Sequence, residues 1–197
     1  SVEDGWKEYI TYGGLPAVVL LKSPEKKAEY LKNIFAETYI TDIVERNKVK
    51  NTSELEDLIN LVSSSIGSLT NPKKIADTFV SNKKKISQET VKKYLEYLSD
   101  SFLVSASYRY DIKGKKYIDT PLKYYFSDIG LRNARLNFRQ LEETHIMENI
   151  IYNELILRKF SVDAGVVYAR SLNQNGDTVR TPREIDFIAT SGGKKIY

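Results

Sequence analysis

Apolar residues recur at helical spacing through most of the first hundred positions, then give way to alternating and extended runs. A break at Gly13-Gly14-Leu15-Pro16 separates two helical stretches. Ser23 and Pro24 form a helix start. Tyr30, Ile34, Ile40 and Val44, with Leu31, Phe35 and Tyr39 beside them, predict a helix of about twenty residues after it. Ser53 and Glu56 match a capping box opening a helix with Leu55, Leu58, Ile59 and Val62 inward. Asn71-Pro72 starts a shorter helix carrying Ile75, Ala76 and Phe79, and Ser87 caps a third with Val91, Tyr94, Leu95 and Leu98 on one stripe. Two extended runs, from Phe102 to Tyr110 and from Lys115 to Phe126, flank a turn at Lys113-Gly114. Three short helices and a hairpin are the layout of a winged helix-turn-helix.

The remaining residues predict a helix from Glu142 to Phe160, apolar nearly all round and therefore expected to be buried. A strand at Val166–Arg170, a turn at Asn175-Gly176-Asp177 and a strand from Thr178 to Thr190, interrupted by Pro182, follow it. Gly192-Gly193 turns the chain into Lys194–Tyr197. The expected fold is α+β in three parts. Residues 1–50 are a helical segment, 51–126 the winged helix-turn-helix, and 127–197 a truncated α/β domain.

Composition narrows the class. With 41% hydrophobic and 28% charged residues the chain is globular rather than disordered. It has no cysteine, which removes disulfides and thiolate metal sites and fits a cytoplasmic protein. No apolar run approaches the roughly 20 residues needed to span a bilayer, so no membrane partner is expected. The opening SVEDGWKEYITYGG reads as mid-protein sequence, and TSGGKKIY stops as a strand begins, so both ends are expected to continue.

Charge is unevenly distributed. Between Asn71 and Lys123 there are 12 Lys and Arg against 6 Asp and Glu, a local excess of six in a chain whose net charge is +4. Lys83, Lys84 and Lys85 precede the third helix, Gln88, Lys92 and Lys93 lie on its outward side, and Arg109, Lys113, Lys115 and Lys116 decorate the hairpin. Those positions meet a groove and its phosphates in winged helices, which predicts salt-dependent contact with double-stranded DNA. The competing reading is a solvated lysine face on a protein-docking module. Tyr108, Tyr110, Tyr117, Tyr124 and Tyr125 could stack bases, but alternating aromatics in a hairpin are expected to pack across strands.

Two carboxylates stand out. Glu148 falls inside the apolar arc of its helix, where a carboxylate needs a donor, a cation or a proton. Alternation sends Glu184, Asp186 and Ile188 to one face of their strand and Ile185 and Phe187 to the other. Glu148 and Asp186 could therefore converge on Mg²⁺. The alternative is that Glu148 caps a backbone or pairs with Arg170 or Arg183. His145 stands alone and is read as incidental, and there is no phosphate-binding loop of the G-x-x-x-x-G-K-[ST] type.

One ordered set of segments carries a family resemblance: Gly13–Pro16, Tyr39–Arg46, Thr90–Leu95, Lys123–Leu131, Met147–Asn149 and Arg183–Phe187. In order and spacing it resembles the C-terminal region of prokaryotic AAA-type ATPases, where a winged helix joins a domain related to the PD-(D/E)xK nucleases. The resemblance implies an ATPase domain, with its ATP and Mg²⁺, before Ser1. It implies that Glu148 and Asp186 are the helix acid and first strand acid of the nuclease fold, with the acid-x-lysine motif beyond Tyr197. The expected function is the DNA- or partner-binding region of such an ATPase, with an inactive nuclease-like module. The alternatives are a metal-dependent nuclease completed beyond residue 197 and a structural docking or oligomerisation region.

Overall fold

Short polar side chains set most helix starts. In the computed structural model, which describes residues 1–141, 143–172 and 177–197 (without the side chains of residues 119, 120 and 171), α1 (Val2–Tyr12) begins with a Ser1–Asp4 capping box. After α2 (Pro16–Leu20), Ser23 accepts from the Lys26 amide at the start of α3 (Pro24–Asn33). This helix continues through a π-helical stretch, Ile34–Ile40, into α4 (Thr41–Asn47), so the expected long helix is one rod with a widened middle. Helix α5 (Thr52–Ser64) is capped by Asn51, whose side chain accepts from the Glu54 amide. The capping box expected at Ser53 and Glu56 is thus displaced by an equally strong cap two residues earlier. Asn71 and Ser87 cap α6 (Pro72–Ser81) and α7 (Gln88–Asp100) as their sequences predict.

The hairpin forms from β1 (Val104–Asp111) and β2 (Lys116–Phe126), with the Asp111 carboxylate accepting from the Lys113 and Gly114 amides at its tip. Then come α8 (Ile129–Arg135), α9 (Glu143–Leu157), β3 (Ser161–Leu172), β4 (Thr178–Ser191) and β5 (Lys194–Ile196). All five strands belong to one mixed sheet in the order β2-β1-β3-β4-β5. Strand β1 pairs antiparallel with β2 and parallel with β3, so hydrogen bonds cross the division expected at residue 126. The hairpin is consequently flanked by β3 instead of projecting freely. An isolated bridge from Thr70 to Leu122 also ties the α5–α6 connection to β2. Strand β4 runs on through Pro182, which among the described residues is paired on the β3 side only, where an amide is dispensable. The turn predicted at Asn175-Gly176 lies outside the described residues.

The main core gathers the inward stripes of α5, α6 and α7 with Val104, Tyr124 and Phe126 from one face of the hairpin. A smaller core of Tyr125, Tyr152 and Val162 lies on the opposite face, beneath α9. Helix α9 is less buried than its composition predicts: Ile146, Asn149 and Tyr152 face inward, while Met147 and Ile151 remain exposed. No helix among the described residues is long and apolar enough to cross a membrane.

The Ser127–Asn133 segment is a polar staple. Asp128 caps α8 through the Gly130 and Leu131 amides and also accepts from the Gly14 amide at 2.8 Å. The Asn133 amide group donates to the Ile10 and Thr11 carbonyls, ending α1. Gly130 must lack a side chain, because a Cβ there would lie 2.0 Å from the Tyr12 carbonyl oxygen. Asn149 acts similarly on β2, accepting from the Phe126 amide and donating to the Phe126 carbonyl, each at 2.7 Å. Asn149→Ala should therefore strand two buried backbone groups and lower stability by about 2–3 kcal/mol. Urea unfolding checks this, and a loss below about 0.5 kcal/mol contradicts it.

Candidate functional site

Alternation along β2 sends Leu122, Tyr124 and Phe126 toward the helical core and Lys123 and Tyr125 toward α9. Lys123 is 1% exposed. Its ammonium lies 2.7 Å from Glu148 Oε1, 2.5 Å from Glu184 Oε1 and 3.2 Å from Asp186 Oδ1. The Tyr125 hydroxyl donates to the same Glu148 oxygen at 2.6 Å. Ser107, in register with Lys123 on β1, is small and buried, which leaves the lysine room to extend across the sheet. Gly67 completes the wall. Its φ is +70°, and a Cβ there would stand 2.8 Å from Glu148 Oε2, so the loop after α5 closes directly on the carboxylate.

Glu148 and Asp186, which the sequence could bring together on Mg²⁺, both reach the Lys123 ammonium. The partner is different: Lys123 takes the place expected of Arg170 or Arg183. The strand alternation also changes. A bulge opposite Ala164 puts Ile185 and Ile188 together against Gly165, while Phe187 joins Asp186 on the Tyr125 side, with ring centroids 6.1 Å apart. One extra residue in a strand re-aims every side chain after it. Lys123 carries the cluster without a role read for it from the sequence, joined by Glu184 from the face of Asp186 and by Tyr125, which was read as cross-strand packing. The available signal was a lone charge inside the apolar run Leu122–Phe126, at a position whose neighbours two residues away are apolar or aromatic.

Burial alone would depress the Lys123 ammonium, but hydrogen bonds and charge from Glu148 and Glu184 outweigh it and hold the group above its ordinary 10.5. Burial and the Glu148 carboxylate push the Tyr125 phenol far upward, so it remains a donor. Asp186 is the open side of the cluster, with 66% of its side chain exposed. Lys123 occupies the junction between Glu148 and Asp186 where the sequence expects Mg²⁺, and its single ammonium faces three carboxylates there. Among the described residues no group of three or more histidine or acidic side chains is arranged to hold a metal. His145 is exposed.

The residues expected to contact nucleic acid separate into two sets. Lys83, Lys84, Lys85, Gln88, Lys92 and Lys93 are exposed around the start of α7. Several have acidic neighbours: Lys84 pairs with Asp57, Lys93 with Glu89 at 3.7 Å, and Lys92 with Glu96 at 4.0 Å. Exposed pairs of this kind hold their partners weakly and leave the cations available. Lys113, Lys115 and Lys116 are exposed at the hairpin tip. Arg109 is half-buried within β1, and alternation puts it on the side of Ser107 and Asp111, opposite Tyr108 and Tyr110. Tyr110 and Tyr117 pack edge to face across the strands, as alternating aromatics predict.

A family model described as a domain of unknown function (DUF8612) matches residues 3–142. The chain belongs to that family. The matched residues run from α1 to the segment before α9, and so include Gly67 and Lys123 but end short of Glu148. An uncharacterised protein of Haemophilus influenzae is 35% identical over the whole chain, which spans 46% of that protein. An uncharacterised protein of Methanocaldococcus jannaschii is 29% identical over 96% of the chain, which spans 40% of it. The chain therefore covers less than half the length of these relatives. No solved structure matches it.

Replacing Lys123 by Met leaves Glu148 without its cation and should cost about 3 kcal/mol at pH 7. Adding Glu148→Gln should restore part of that loss. Because the ammonium titrates higher when folded, its contribution is complete below about pH 10.5 and disappears as pH rises through the folded value. Urea unfolding of both proteins from pH 7 to 11 should show the stability difference shrinking only at the alkaline end. A difference that instead shrank between pH 7 and 9 would contradict a lysine held above its ordinary range.

Proposed function

We propose that this chain is the C-terminal, DNA-facing region of a prokaryotic AAA-type ATPase, in which a nuclease-like module serves as an inactive structural support. The observation that carries the reading is the Lys123 ammonium bonded to both Glu148 and Asp186. In the resembling nucleases those acids would hold a catalytic cation, and here a side chain supplies the positive charge permanently. The order α5, α6, α7, β1, β2, with Thr70 bridged to Leu122, supports the winged-helix part. The length of the relatives leaves room for an ATPase domain, and the exposed lysines beside α7 supply the charge that duplex phosphates require.

A second reading has its own support. Glu148 and Asp186 converge on a basic group of the kind that steadies an attacking water, so Lys123 could belong to a nuclease centre completed by residues beyond Tyr197. Two measurements separate these readings. Incubated with supercoiled plasmid and Mg²⁺ or Mn²⁺, the full-length protein should leave the plasmid intact. Cleavage abolished by Glu148→Gln and Asp186→Asn would establish the second reading and overturn inactivity. Duplex binding should weaken steeply between 50 and 200 mM salt, and replacing Lys83, Lys84 and Lys85 by Ala should flatten that dependence by about 0.9 in logarithmic slope per lost phosphate contact. Negligible duplex affinity at low salt would overturn DNA contact in favour of protein docking.

A further inference from the structure

The sheet has two unlike faces. Helix α9 packs on β2, β3 and β4 from the side of Lys123 and Tyr125. On the other face the helical core covers Tyr124 and Phe126 at the base of the hairpin. Toward the hairpin tip that second face carries aromatic rings in the open. Tyr108 is 54% and Tyr117 59% exposed. Tyrosines left this wet contribute little to the core; Tyr108 stands at the register shift between Ser107 and Arg109, and Tyr117 is positioned by its neighbours. The Tyr117 hydroxyl donates to Asp163 at 3.0 Å, and its ring meets the edge of Tyr110 at 5.2 Å between centroids. Lys195 of β5 places its ammonium 3.9 Å from the centroid of the Tyr110 ring. Tyr110 is thereby a buttress, held between a cation and its cross-strand partner, and Tyr117 and Tyr108 present the free ring surface.

Cations surround these rings. Lys113 and Lys115 are exposed in the turn that joins β1 to β2, and Lys195 lies along the opposite side. Of the described acids nearby, Asp111 caps the turn amides and Asp163 accepts from Tyr117. We propose that this face, with Tyr108 and Tyr117 as platforms and Lys113, Lys115 and Lys195 as phosphate contacts, binds single-stranded nucleic acid by base stacking. Solvent-facing rings on a sheet match unpaired bases, which have apolar faces to bury, whereas the bases of a duplex are already stacked on each other. The inference needs neither the ATPase nor the nuclease-like reading, and it engages different residues from the lysine loop before α7.

Fluorescence anisotropy with a labelled mixed-sequence 20-mer, as DNA and as RNA, tests it on the 197-residue chain. At 50 mM salt at least one oligomer should bind, and the two arms show which sugar is preferred. Tyr108→Ala and Tyr117→Ala should each weaken binding about tenfold, the size expected for losing one stacked base. Tyr117→Phe, which keeps the ring and gives up the Asp163 bond, should stay within about threefold of the unaltered protein, and circular dichroism of each variant confirms folding. Replacing Lys113 and Lys115 by Ala should lower the logarithmic salt slope by about 0.7 per contact. Duplex binding through the lysine loop should be retained in the tyrosine variants. No binding of either oligomer, or tyrosine variants that bind as well as the unaltered chain, would overturn the proposal. Equal loss of duplex binding would also overturn it, since the face would then not distinguish single strands. Concentration-dependent self-association abolished by Tyr117→Ala, without oligomer binding, would reassign the face to a second copy of the chain.

Discussion

A lysine ammonium withdrawn from water is the constraint around which this molecule is arranged. Lys123 can be buried only because Glu148, Glu184 and Asp186 bring negative charge to it from α9 and β4. Those contacts fix the height of α9 above the sheet and the reach of β4 beneath it. Through Gly67 they also fix the loop that leaves α5. A cluster of this kind favours one arrangement of helix, loop and strand, since any other leaves a charge uncompensated in a poorly hydrated place.

The segment Lys123–Asn133 concentrates several of the long-range contacts of the fold. Lys123 holds the acids, Asp128 and Asn133 hold the end of α1, and Gly130 lets the two backbones touch. These contacts join distant parts of the chain, and the cluster around Lys123 joins β2 to α9 and β4 in the same way.

The sequence reveals local features well and long-range ones poorly. Ser23, Asn71 and Ser87 announce helices because a cap acts within three residues of itself. The inward stripes of α5, α6 and α7 are legible for the same reason, as is the hairpin with its Lys113-Gly114 tip. Asn51 competes with Ser53 within a single turn, and proximity to the first helical amides decides between them. The pairing of β1 with β3 is hidden because the partners stand more than fifty residues apart and the hairpin already looks complete. The bulge in β4 is hidden because an extra residue leaves the composition unchanged while reversing the faces of Phe187 and Ile188. Glu148 and Asp186 could be anticipated as a pair. Lys123 could not, since a lysine in a strand ordinarily points to water, and only the three acids around it make burial tolerable.

Pro182 has a meaning beyond being tolerated. Among the described residues β5 pairs only with Ala189, Thr190 and Ser191, so Pro182 is paired on the β3 side alone. A margin of that kind can accept a further strand, from this protein or from another. Pro182 brings no amide to the ladder, so a strand laid along that margin would find a gap in its donors. The residue that seemed to break the strand thus weakens pairing at one point along its outer side.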